Sequence, residues 1–223
     1  MSILSKFRFA STVAMALSVG WMAHASDNPT MDADVSRIDS EWARIKYQVK
    51  DKDEQLKEID ALAKKAATVV DHYPGRAEPL LWQGIVTSEE AAMASVFHQL
   101  GLAIDARKMF EKAEAIDPKV LHGAVTMSLG VIYYRVPGFP IGFGNKDTAR
   151  HYLEAAMAMD PGGLDANYFY GDFLIQRGEY DHARDVLEHA LDAPVNPNRP
   201  VWDAGRRADI QGLLASIDKR ASR

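Results

Sequence analysis

Small and large apolar residues recur along this chain at a spacing of four and then three. Ala183, Leu187 and Ala190 are one instance, Ala149, Leu153 and Ala156 a second, and Ala106, Phe110 and Ala113 a third. That step keeps all three side chains on one face of an α-helix, so each set forms a small–large–small stripe. The alanines admit a second helix at close range, and the large residue fills the space between them. Pro118 and Pro161 follow two of the stripes at the same offset, each preceded by Asp, and stop those helices.

The helices before the stripes carry matching glycines. Gly84 beyond Trp82, Gly130 after Leu129 and Gly171 after Tyr170 fall where two helices of one hairpin must nearly touch. A helix bearing such a stripe cannot cover it alone, so successive hairpins are expected to stack into a solenoid. The pattern resembles the tetratricopeptide repeat (TPR) family, whose unit is a 34-residue helix-turn-helix. Ala149 and Ala183 are 34 residues apart, and Gly171 precedes Ala183 by the twelve that the family shows.

The earlier copies are longer between glycine and alanine: 19 residues from Gly130 to Ala149 and 22 from Gly84 to Ala106. Both hairpin turns therefore carry insertions. In the second pair, TSEEAAMASVFHQL reads as continued helix, so its helices are lengthened. In the third, RVPGFPIGFG from Arg135 to Gly144 is rich in helix breakers yet contains Val136, Phe139, Ile141 and Phe143. Upstream, 33–49 and 54–72 read as a degenerate first pair ending at Tyr73-Pro74-Gly75. Downstream, 194–200 is a turn-rich linker, and Trp202 to Arg220 reads as a charged amphipathic helix that caps the stack, with Arg206, Arg207, Asp209, Asp218 and Lys219 expected on its polar outer face. The expected architecture is all-α: about four TPR-like helix pairs over 26–198, with an apolar Pro/Gly insertion at 135–146, and a C-terminal capping helix within 199–223.

The first residues change the picture. Lys6 and Arg8 precede an apolar run from Phe9 to Met22 that ends in Ala23-His24-Ala25. This is the pattern of a secretory signal peptide, residues 1–25, with cleavage after Ala25. The sequence has no cysteine, hence no lipid-attachment thiol, disulfide or thiolate metal site. Cleavage removes two positive charges and takes the net charge from −5 to −7. An acidic chain without a basic stripe does not neutralise phosphates, which sets nucleic acid aside as a partner. The expectation is a periplasmic protein with no stable membrane anchor after cleavage.

Candidate chemistry is that of binding. A surface loop is normally polar, so Phe139 and Phe143 either pack on their own protein, meet a partner or line a ligand pocket. In TPR proteins certain positions of the first helix of each pair line a concave groove. The resemblance carries these onto Met127, Val131, Tyr134 and Arg135 in the third pair and onto Tyr168 and Asp172, with Ile175, in the fourth. In the second pair they fall on Leu81, Ile85 and Glu89. Tyr134 and Tyr168 each offer a flat apolar body with one hydrogen-bonding tip.

Other constellations read as structural. Gly142-Phe-Gly144 lacks the spacing of a phosphate-binding loop, and Asp147 or Thr148 serves as the N-cap of the helix that follows. His182, Asp185 and His189 share a helical stripe, which reads as a solvated face rather than a metal site. No nucleophile–base set or carboxylate pair is apparent, so no catalytic role, metal or cofactor is expected.

The PGFPIGFG insertion and NYFYGDFL are also similar to TPR proteins related to the T-component of TRAP transporters. That resemblance implies a periplasmic partner of a solute-binding protein, assisting ligand capture or hand-over in ion-driven uptake, with a small apolar ligand as a further expectation. The chain departs from the lipid-anchored members in lacking the lipobox cysteine. A second reading is an assembly adaptor of the cell envelope that holds an extended peptide in the groove.

Overall fold

The computed structural model describes residues 28–221, so the signal peptide expected at 1–25 lies outside the described residues. Nine α-helices follow one another among them: α1 (Pro29–Gln48), α2 (Lys52–His72), α3 (Ala77–Met93), α4 (Val96–Ile116), α5 (Val120–Arg135), α6 (Lys146–Met159), α7 (Leu164–Arg177), α8 (Tyr180–Leu191) and α9 (Pro200–Ala221). The fold is all-α and its helices pack in sequence as TPR hairpins do. The lengthening expected in the second pair is present, with a break at Ala94-Ser95 between α3 and α4.

The glycines and the stripes meet as their spacing predicts. A Cβ on Gly84 would lie 2.5 Å from the Phe110 ring, one on Gly130 2.7 Å from Leu153, and one on Gly171 2.6 Å from Leu187. In all three pairs the odd-numbered helix thus yields its side chain to the large residue of the stripe. The flanking alanines, Ala106, Ala113, Ala149, Ala156, Ala183 and Ala190, are all buried. Insertions in the turns leave this contact unchanged.

Caps fix where the helices begin. Asp51 accepts hydrogen bonds from the amides of Asp53 and Glu54 at the head of α2. At the head of α6 the cap is Asn145, whose side chain accepts from the amides of Asp147 and Thr148 at 3.0 and 2.9 Å. The expected caps, Asp147 and Thr148, are therefore the donors, and Asn145 two residues earlier is the acceptor. The opening of α5 is irregular: Leu121, His122 and Gly123 have φ of 46°, 58° and 85°, a left-handed turn before the regular helix. L-residues pay about 1–2 kcal/mol each for that conformation.

Each odd-numbered helix brings its backbone close to the next odd-numbered one, whereas the backbones of successive even-numbered helices stand further apart, α4 and α6 meeting only at side-chain reach where Tyr152 donates to Glu114. The odd-numbered helices therefore form the inner, tightly curved layer. α9 takes the fifth place in that layer, against α7 and α8, and also reaches α1. The inner layer closes on itself. One apolar cluster runs through it, from Met31 and Trp42 in α1 by way of Trp82, Tyr134 and Phe173 to Trp202 and Ile210 in α9.

Candidate functional site

Two regions bear on binding: the inner layer, where the groove residues were expected, and the edge formed by the hairpin turns. In the inner layer, Met127 and Tyr134 are buried, and Val131 and Tyr168 pack partly buried against the same cluster. The Tyr134 hydroxyl donates to Asp172 Oδ2 at 2.7 Å, and Arg135 donates to the same oxygen at 2.8 Å and to the Tyr134 hydroxyl at 3.2 Å. The structure thus brings Tyr134, Arg135 and Asp172 together across α5 and α7. Burial, with the Asp172 charge adding to it, pushes the Tyr134 phenol far above its usual range, so it remains a neutral donor.

Tyr168 lies beneath α9. The Arg206 guanidinium sits 4.1 Å from the Tyr168 ring and 4.8 Å from Phe169, and only 2% of Arg206 is exposed. Its Nε is 2.6 Å from Asp165 Oδ1, an ion pair whose direction is not that of a hydrogen bond. Burial alone would lower the Arg206 pKa, but Asp165, Tyr47, Tyr168 and Asp209 outweigh it and hold the charge firmly. The Tyr47 hydroxyl donates to Asp209 at 3.0 Å, and a Cβ on Gly205 would collide with the Tyr47 ring. Arg199 grips Asp39 of α1 through two 2.6 Å hydrogen bonds while lying 4.0 Å over Trp202. An open trough along the inner layer was the expectation; α9 fills the space that α1 and α7 would have framed.

The insertion at 135–146 divides in two. Gly144 donates to the Pro137 carbonyl at 2.9 Å and Asn145 to the Tyr133 carbonyl at 2.9 Å, which ties the neck of the loop to α5. Phe143 turns inward, edge-on to Tyr133 at 5.8 Å and 4.2 Å beneath the Arg107 guanidinium. Val136 packs on the same cluster. Phe139 and Ile141, at the tip, are 94% and 70% exposed. A shallow cavity of about 340 Å³ lies beside the neck, bordered by Tyr133, Tyr134, Arg135, Val136 and Lys146.

A second apolar tip lies along the same edge and escaped the sequence reading. Val96 and Phe97, at the head of α4, are 80% and 95% exposed. The insertion loop rests against this helix one turn further on, since a Cβ on Gly142 would meet Leu100. The signal was available in SVFHQL, where a helix opens on two large apolar residues instead of the acidic first turn found in α2, α6 and α8. Arg199 was missed as well. Arg206, expected on the polar outer face of the capping helix, is instead buried against Tyr168, because α9 packs into the inner layer and nothing in local spacing points from α9 to α1. His182, Asp185 and His189 are exposed on α8, His182 edge-on to Tyr170. Among the described residues no three His, Cys, Asp or Glu side chains gather as metal ligands, and no helix is long and apolar enough to cross a membrane.

Helix pairs stacked by glycine–stripe contacts, with an inner layer of successive first helices, define a helical-repeat scaffold. Comparison supplies the type of repeat: residues 141–217 match the tetratricopeptide repeat family. Among solved structures, the chain is similar to TTC0263, a thermophilic TPR protein in Thermus thermophilus, at 16% identity and a TM-score of 0.56, covering 85% of this chain and 91% of that one. It is also similar to yeast Tom70, at 13% identity and a TM-score of 0.50, covering 86% of this chain and 41% of that one. The MamA protein aligns at 20% identity with a TM-score of 0.42 over 84% of this chain and 88% of that one. At such identities the likeness speaks to the fold alone. No curated protein matches the sequence. TPR repeats are protein-binding architecture, generally without catalysis of their own.

Proposed function

We propose that this protein is an exported, non-catalytic scaffold of the periplasm that engages a protein partner through its hairpin-turn edge, as an accessory of TRAP-type solute uptake. The observation that carries the reading is the ordered apolar tip: Phe139 and Ile141 stand in solvent on a loop whose neck is hydrogen-bonded to α5. Exposed aromatic side chains on a fixed support suit an interface, because little conformational entropy is lost when a partner covers them. The role in uptake rests on the resemblance of the PGFPIGFG and NYFYGDFL segments to proteins related to the T-component, with a periplasmic solute-binding protein as the partner. A small apolar ligand would lie in the cavity beside the loop neck. The alternative of an extended peptide held in the inner groove is less well supported, because α9 fills that face.

The test is a photo-reactive benzophenone side chain at position 139, illuminated in cells, with adducts identified by mass spectrometry. A solute-binding protein as the main adduct is expected. An envelope-assembly protein instead would contradict the transport role, and the absence of any protein adduct would contradict the scaffold. Export is tested separately by a reporter fused after Ala25 that is active only outside the cytoplasm, and retention of the fusion inside would refute the localisation.

A further inference from the structure

The backbones of α2 and α4 do not pack closely against one another, and the gap between them is a trough of about 790 Å³. Phe97 forms one wall, and Leu56 of α2 and Leu102 of α4 supply apolar surface within it. Gly101 lies one helical turn from Phe97 on the same face of α4, where a Cβ would meet nothing within 4 Å. A glycine inside a helix costs about 0.5–1 kcal/mol relative to alanine. At Gly84, Gly130, Gly171 and Gly205 a side chain packed against the glycine accounts for that cost. Gly212 shares the empty surroundings of Gly101, but it has no fully exposed aromatic residue one turn away. The space left open at Gly101 therefore serves nothing inside the chain.

The trough has a charge as well as a shape. Asp53, Asp60 and Glu90 line it against a single ammonium, Lys57, while Lys64 outside the lining is drawn to Asp60 at 2.7 Å. Burial, and then the charge of Asp60, raise the Glu90 carboxyl above its ordinary range, with Lys64 partly opposing them. An incoming cation would relieve that repulsion.

We infer that the trough between α2 and α4 docks an apolar-faced, cationic helix of a partner protein. Its apolar side chains lie on Phe97, Leu56 and Leu102, its backbone approaches over Gly101, and its Lys or Arg side chains meet Asp53, Asp60 and Glu90. The inference rests on the protein-binding reading above and deepens it, adding a surface on the outer layer and the chemistry of what fits there.

Fluorescence anisotropy with a labelled Leu/Lys amphipathic peptide, alongside the same peptide with Glu in place of Lys, tests it on the mature protein. The cationic peptide should bind and the acidic one should not. Gly101→Trp fills the trough and should weaken binding by about ten-fold or more, the equivalent of ~1.4 kcal/mol, while the melting temperature stays equal or rises. Asp60→Asn with Glu90→Gln should weaken it in a salt-dependent way. Unchanged affinity in Gly101→Trp, equal binding of the acidic peptide, or no binding of the cationic peptide would each overturn the inference. If the peptide fails while position 139 still crosslinks to a protein in cells, the trough alone is refuted. Failure of both removes the scaffold reading as well.

Discussion

The inner layer and the hairpin-turn edge are built from the same helix pairs but treat their side chains in opposite ways. On the inside, the aromatic residues are covered and each charge has a partner: Arg206 with Asp165, Arg199 with Asp39, Arg135 with Asp172. On the edge, Phe97 and Phe139 stand almost fully in water, Phe97 at the head of the lengthened α4 and Phe139 in the loop between α5 and α6. Closure of the inner layer by α9 makes it a core, whereas the insertions make the edge a surface. The concave face of a helical repeat is therefore available to a partner only when the repeat number and curvature leave it open; here the chain's own fifth inner helix lies across it.

That contrast can be broken most forcefully from the inside. Arg206→Ala leaves Asp165 and Asp209 without their cation beneath α9, and loss of one member of a buried pair costs about 3–5 kcal/mol. A denaturant titration should show it, and a loss below about 1 kcal/mol, the size of an exposed pair, would mean that α9 is not seated. Next in size are the close contacts between helices. Gly171→Ala, which drives a Cβ into Leu187, and Ala156→Leu, which overfills a buried stripe position, should each cost about 1–3 kcal/mol. An unchanged melting temperature in both would mean that the glycine–stripe register is wrong.

The edge should answer in the other direction. Gly101→Ala is expected to raise stability by about 0.4–1 kcal/mol, because it stiffens the unfolded chain and meets no neighbour in the folded one. A destabilised variant would mean that position 101 is packed. Phe139→Ser should leave stability within about 0.5 kcal/mol, as exposed substitutions usually do. The same change should sharply reduce capture of the partner by a crosslinker placed at position 141. Equal capture would remove Phe139 from the interface.

Much of this fold is legible in the sequence, because its repeating contact is local. Gly171 and Leu187 are 16 residues apart, and periodicity alone aligns them. The closure is not legible in that way. Asp39 and Arg199 are 160 residues apart, and their meeting depends on the small rotation that each pair adds, which no single stripe records. The insertion was visible as an apolar loop, but alternation does not say which side chains turn inward. Phe143 finds Arg107 and Tyr133, while Phe139 finds only solvent. Gly101 and Gly205 were signals left unused. A lone glycine within a helical pattern marks a close approach or an open space, and these two prove to be one of each.

Closure of the inner layer is tested most directly by a pair of cysteines at Tyr47 and Gly205. The chain has no other thiol, and the Tyr47 ring lies against the position of a Cβ on residue 205, which puts the two β-carbons within disulfide reach. Mild oxidation of dilute Tyr47→Cys/Gly205→Cys protein should give a near-quantitative intramolecular bond between α1 and α9, seen as a faster-migrating, reducible monomer. Thiols that stay free, or that join only different molecules, would show that α9 stands away from α1 and that the inner face is open.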